Sequence, residues 1–232
     1  MQVKKRDGTL EPLDIDKLHK VVMYACEGIT GVSASQVEIN SKIQFFESMP
    51  TQDIQETLIK SAADLISEEN PNYQYVAGRL INYHLRKMVY NTFTPPCLCD
   101  VIDDNINAGM YDKEFTELYT KDEINQLNIY IKHDRDEVLT YAAMEQFRGK
   151  YLVQNRATGE IYETPQVAYM MIAASLFSKY PTETRLQTVK DYYDAISTFK
   201  ISLPTPIMAG VRTPQRQFSS CVLIETGDSL DS

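Results

Sequence analysis

Between residues 14 and 90 the chain presents one pattern four times: a cap signal, apolar residues three and four positions apart, then a break. That spacing puts the apolar side chains on one stripe of a helix, and such a stripe must be buried against another element. Asp14 can cap a helix carrying Leu18, Val21, Val22 and Ala25, which closes near Gly28. Ser33 with Gln36 reads as a capping box for the next. Pro50-Thr51 starts a third, with Ile54, Leu58, Ala62 and Ile66 four apart. Asn70-Pro71 reads as a cap and first-turn proline for a fourth, in which Val76, Leu80, Tyr83 and His84 run on toward Tyr90. Ahead of all four, "VKKRDGTLEP" (3–12) reads as two short strands around an Asp7-Gly8 turn. A hairpin and four one-faced helices close on each other as one compact module over residues 1–91.

"NTFTPPCLCD" (91–100) ends that module, because its two prolines cannot continue a helix. A second, helical region is expected over 92–200, with helices around 121–131 and 134–148. "YLVQNRATGEIYE" (151–163) reads as strand, turn and strand. Thr164-Pro165 caps an almost wholly apolar helix to Phe177, and a last helix runs from about Thr182 to Phe199. Residues 201–232 change character. "ISLPTPIMAGVRTPQRQ" reads as a rigid, irregular loop that delivers the chain into a final apolar strand beginning at Cys221. The fold class is therefore mainly α.

Composition narrows the function classes. A formal charge of −9 and a pI near 4.9 argue against a nucleic-acid binder, which needs surplus Lys and Arg on one face. The charged N-terminus has no apolar h-region of a signal peptide, and the longest apolar stretch, 167–177, is too short to span a bilayer. Cysteines at 26, 97, 99 and 221 and histidines at 19, 84 and 133 make no disulfide framework and no zinc spacing, so no metal site is expected. The four thiols suit a reducing cytosol.

Lys4-Lys5-Arg6 is a basic run in an acidic chain, just before a tight turn and a helix N-terminus. With Lys17 and the His84-Arg86-Lys87 cluster it can be either a solvated face or an anion site in which backbone N–H groups add to the charge. Thr51 is equally a cap or a ligand contact. Cys97 and Cys99 read as structural, and Cys26 as core. Cys221 can be a small buried apolar residue or one of a redox pair; no His or Lys in its neighbourhood of sequence serves to activate a nucleophile.

Several stretches taken together, "VKKRDGTLEPLDIDK", "NYQYVAGRL", "HDRD", "GKYLVQNRATGEIYE" and "STFKISLPTPIMAGVRTPQRQFSSCVLIETGDSLDS", resemble the N-terminal part of the large, catalytic subunit of class Ia ribonucleotide reductase, of the bacterial and bacteriophage type. The resemblance runs from residue 3 to 232, whereas family members continue for hundreds of residues. It implies that residues 1–91 are an ATP cone, an allosteric module that senses ATP against dATP. The implied contacts are Lys5, Arg6, the segment Glu11, Pro12, Leu13, Asp14, Ile15, Asp16 and Lys17, and then Thr51, His84 and Lys87. Gln55 stands where bacterial relatives can carry a histidine.

The resemblance further implies that Thr205 and Ser220 contact the substrate and that Cys221 is one of the redox-active pair. Asp228, Ser229 and Leu230 would begin the specificity site. Residues 201–232 would be the substrate loop and first strand of the family's α/β barrel, which is then incomplete. The family's thiyl-radical cysteine, second redox cysteine and C-terminal dithiol match nothing here. The resemblance therefore implies a split or truncated subunit, inactive alone, that contributes to reduction of ribonucleoside diphosphates for DNA synthesis. Its partners would be a complementary C-terminal chain, a second large subunit and the di-iron small subunit that supplies the radical. ATP or dATP with magnesium would be the effectors, and thioredoxin or glutaredoxin the reductant. The location would be the cytoplasm, of the host if the source is a phage. The competing reading is a free-standing ATP-cone sensor without catalysis; cone-bearing repressors, however, carry CxxC zinc ribbons, which this chain lacks. A helical adaptor is a third.

Overall fold

The computed structural model describes residues 1–228. It opens with β1 (Gln2–Lys4) and β2 (Leu10–Pro12), antiparallel, with Val3 opposite Glu11. The Asp7-Gly8 turn forms as the sequence suggests. Gly8 takes φ 86°, and Asp7 Oδ1 accepts from the Thr9 N–H at 2.9 Å and the Thr9 hydroxyl at 2.7 Å. A third strand, β3 (Met49–Pro50), adds in parallel to β1, so the hairpin is part of a three-stranded sheet ordered β2-β1-β3. Two residues carry no sequence periodicity, and only tertiary pairing makes them a strand.

Four helices close over the sheet: α1 (Ile15–Cys26), α2 (Ala34–Lys42), α3 (Thr51–Ala63) and α4 (Tyr73–Tyr90). Asp14 caps α1 through Lys17 N–H at 3.0 Å. The capping box expected at Ser33 does not form. The Tyr73 hydroxyl takes its place, accepting from Ser33 N–H at 2.9 Å and donating to Gln36 Oε1. Helix α4 starts at Tyr73 with Asn72 as the cap residue rather than at Asn70-Pro71, and Ile66 lies beyond the end of α3. Leu18, Val22, Ala25, Leu58, Ala62, Val76 and Leu80 are all buried, as the stripe pattern requires.

Beyond the left-handed Asn91 and the two prolines lie α5 (Leu98–Asn107), α6 (Phe115–Leu118) and α7 (Lys121–Tyr130), the last closed by a Thr120–Glu123 capping box. Helix α5 goes beyond the sequence expectation, although Leu98, Val101, Ile102 and Asn105 keep helical spacing and are buried. The single helix expected over 134–148 is instead a 3₁₀ turn (His133–Val138), then α8 (Tyr141–Gln146), then a π turn (Phe147–Tyr151). It breaks at Leu139-Thr140, whose extended backbone lies against Gly78 of α4 while the Thr140 hydroxyl caps α8. The strands expected within 151–163 reduce to one bridge, Gln154 to Ile161, around a turn with Gly159 at φ 76°. Helix α9 (Pro165–Leu176) is buried on every side through Ala174, which explains its lack of polar positions, and α10 (Thr182–Ser197) packs along it.

The segment expected to be irregular contains a short helix, α11 (Thr205–Gly210), started by Pro204-Thr205-Pro206. It is pinned by Arg212, 2% exposed, whose guanidinium pairs with the fully buried Glu163 and donates to Met208 O at 2.7 Å. Glu163 also accepts from the Val153 N–H at 2.7 Å and from the Tyr111 hydroxyl, so this buried carboxylate has partners on both oxygens. The last expectation is corrected: residues 221–228 form no strand. Val222, Leu223 and Ile224 are 80%, 100% and 75% exposed, because no neighbouring strand among the described residues supplies a ladder. No helix of the described residues is long and apolar enough to cross a membrane.

Candidate functional site

The ends of β1, β2, α1, α3 and α4 converge on a cleft of about 910 Å³. Its cations come from three places: Lys5 and Arg6 follow β1, Lys17 and Lys20 lie in the first half of α1, and Lys87 sits one turn before the end of α4. In a chain of net charge −9 this is a local reversal of sign. Four of them are held by neighbours. Lys5 Nζ lies 3.1 Å from Glu11, and Lys17 Nζ lies 3.3 Å from Asp14. Arg6 Nη1 donates to Lys87 O at 2.7 Å, and Lys87 Nζ donates to Asn91 O. Burial lowers the Arg6 pKa from its ordinary value. These are exposed or half-buried contacts, cheap to exchange for a multiply charged anion.

Thr51, first residue of α3, lines the same cleft and brings a helix N-terminus to it. His84 is 3% exposed; its Nδ1 has no protein partner, and desolvation pushes its pKa down although Glu56 opposes this. Gln55 Oε1 is likewise buried without a partner, and both residues line the cleft. A buried polar atom without a partner is costly to the fold.

One wall of the cleft is aromatic. Tyr83 and Phe93 stack with centroids 4.0 Å apart at 17°, Tyr24 stands beside them, and Lys87 Nζ lies 5.4 Å above the Phe93 ring. Sequence reasoning missed this wall. Tyr83, four residues before Lys87, was the available signal, because the two share a face of α4.

Of the residues singled out from sequence, Lys5, Arg6, Glu11, Pro12, Leu13, Asp14, Lys17, Thr51, His84 and Lys87 are brought together here. Ile15 and Asp16 do not line the cleft; Ile15 is 54% exposed. Thr205, Ser220, Cys221 and Asp228 lie in the last segment, after residue 200, all exposed, with Thr205 opening α11 and the Ser220 hydroxyl 3.8 Å from the Cys221 thiol. Ser229 and Leu230 lie outside the described residues. No group of three or more metal-ligating side chains occurs among the described residues.

The fold and the cleft define a small sheet-and-helix module with a cationic cleft, followed by a helical region. Residues 1–88 match the ATP cone domain, and residues 137–216 match the ribonucleotide reductase all-alpha domain. The chain is 59% identical over 230 residues to ribonucleoside-diphosphate reductase 1 subunit alpha of Escherichia coli, covering 99% of this chain and 30% of that protein. It is 58% identical to the subunit alpha of Haemophilus influenzae and 47% to that of Enterobacteria phage T4, each over 232 residues, covering 31% and 30% of those proteins. The chain belongs to the ribonucleotide reductase large-subunit family, of which it carries the N-terminal portion with its ATP cone. It spans about 30% of the length of the curated relatives it matches.

Proposed function

We propose that this chain senses ATP and dATP for a ribonucleoside-diphosphate reductase and contributes to reduction of ribonucleoside diphosphates to deoxyribonucleotides. The observation that carries the reading is the convergence of Lys5, Arg6, Lys17 and Lys87, the Thr51 helix terminus and an aromatic wall on one cleft of an acidic chain. Phosphate oxygens take the cations and the helix N–H groups, and the purine takes the apolar wall. Magnesium arrives on the phosphates, since it binds through substrate oxygens and water more than through a protein cage.

Residues 1–91 are then the regulatory domain, 92–200 the helical domain, and 201–232 the substrate loop and barrel entry. Thr205 and Ser220 contact substrate, Cys221 serves as one thiol of the redox pair, and Asp228, Ser229 and Leu230 open the specificity site. A dithiol reduction needs two thiols, so the second comes from the part of the subunit to which this chain does not correspond. That part, a second large subunit, the radical-generating small subunit and thioredoxin or glutaredoxin are the partners, in the cytoplasm.

Isothermal titration of the chain with ATP and with dATP tests the reading. Saturable binding, weakened as salt rises, is expected, together with no CDP reduction by the chain alone and turnover once the remaining parts are added. Absence of nucleotide binding overturns it.

A further inference from the structure

The cleft and the segment bearing Thr205 are joined by a continuous set of polar contacts, with the π turn Phe147–Tyr151 in its middle. On the cleft side, His84 Nε2 lies 3.6 Å from Glu56 Oε1. Glu56, on α3, accepts from both terminal nitrogens of Arg148, at 2.7 and 3.3 Å. Glu145 holds the same guanidinium at 3.0 and 2.8 Å. Arg148 is the second residue of the π turn, which is closed by Leu152 N–H donating to Phe147 O at 2.9 Å. At the other end of the turn, Tyr151 O accepts from Arg212 Nη2 at 3.0 Å, and Arg212 holds α11 through Met208 O and Glu163.

A π turn closes its ring one residue later than an α-helix does. Switching between the two registers rotates the chain downstream of the turn by about 100°, the angle per residue of a helix with 3.6 residues per turn. A π turn that can also close in the α register has two discrete hydrogen-bond patterns, the kind of element both sites can bias. Arg148 is its second residue and Tyr151 its last, so a change of register between them cannot preserve both the grip on Glu56 and the bond to Arg212.

We propose that the π turn is the two-state element coupling the cleft to α11, with Arg148 as positioning residue on the cleft side and Arg212 on the other. An anion beside His84 alters how Glu56 divides its oxygens between the imidazole and Arg148, and the turn passes that change to Arg212. By reciprocity, whatever fixes α11 changes affinity at the cleft. Only the identity of the anion rests on the nucleotide reading above; the coupling itself does not.

Because Arg212 is buried, its Nε–H proton gives a protected NMR signal that reports on α11. In the intact chain without nucleotide, Glu56→Gln is expected to move that signal, while Glu38→Gln, on α2 beside His19, leaves it in place. A signal that ignores Glu56→Gln overturns the coupling whether or not any nucleotide binds. ATP is then expected to shift the signal in the wild type, and still to bind but without that shift in Arg148→Met. ATP that binds and leaves Arg212 unmoved, or still moves it in Arg148→Met, overturns the proposal. Should Arg148→Met fail to fold, Arg148→Lys keeps the charge, loses the two-point grip, and is expected to show a reduced shift. A coupling present without any ATP binding removes the nucleotide reading and leaves this inference standing.

Discussion

Gly78 of α4 lies against Leu139 so closely that a Cβ on it would sit 2.1 Å from the Leu139 carbonyl oxygen. Around that contact Arg79 Nε donates to Glu137 O at 3.2 Å, and Arg86 Nη2 donates to His133 O at 3.0 Å. One face of α4 therefore belongs to the cationic cleft and another to the helical region, and the two parts meet along a single helix.

Gly78→Ala should be felt by both parts. The obstacle is backbone on each side, so one element must shift, at an overpacking cost of about 1–3 kcal/mol. In a chain of this size that lowers the melting temperature by roughly 2–4 °C per kcal/mol. Differential scanning calorimetry measures it; an unchanged melting temperature contradicts the close approach.

Lys5→Ala and Lys87→Ala should each weaken ATP binding. Losing one charge-assisted hydrogen bond to phosphate costs about 1.5–3 kcal/mol, or tenfold to a hundredfold in Kd. Ile15→Ala, outside the cleft, should leave Kd unchanged. Equal losses at Ile15 and Lys5 would mean that the cleft is not where nucleotide binds.

Acid stability should reveal two opposed groups. Burial raises the Asp136 carboxyl pKa to about 6 and lowers the His133 pKa to about 4, with Arg86 adding to the latter. The raised Asp136 contributes stability that is present below its unfolded value of 3.8 and is lost as pH rises through 6. The lowered His133 contributes stability that is present above 6.5 and is lost as pH falls through 4. The fully buried Asp136 is worth about 3 kcal/mol across its window and the half-buried His133 less. Urea midpoints from pH 7 to 4 should therefore show His133→Asn gaining on the wild type as pH falls and Asp136→Asn losing. Parallel curves for all three proteins would contradict both shifts.

Cys221 should be the first of the four cysteines to alkylate. It is exposed, whereas Cys26, Cys97 and Cys99 are half-buried, and burial pushes the Cys26 and Cys99 thiols up. Peptide mapping after brief iodoacetamide treatment measures the order, and labelling led by Cys26 or Cys99 would contradict the exposed placement of Cys221.

Much of the first module was legible in the sequence, because the decisive signals there are local. The Asp7-Gly8 turn and the Asp14 cap involve residues within three positions of each other, and the helical stripes of Leu18, Leu58 and Leu80 repeat within one element. The cations of the cleft were legible as a group because a basic cluster stands out in an acidic chain, and the aromatic wall was not, because Tyr24, Tyr83 and Phe93 look like ordinary core.

What the sequence determined alone was short-range: turn chemistry, caps, stripes and the local sign of charge, each set by the conformational preferences of a few neighbouring residues. Tertiary structure alone decided the rest. Met49–Pro50 is a strand only because β1 offers it a ladder, and Ser33 loses its capping box because the Tyr73 hydroxyl arrives from 40 positions away. The helix expected over 134–148 breaks where Gly78 demands room for a carbonyl, and "CVLI" stays unpaired among the described residues because a strand needs a partner. Hydrogen-bond ladders, close backbone contacts and buried ion pairs such as Arg212 with Glu163 join residues far apart in the chain, and no local pattern encodes which of them will meet.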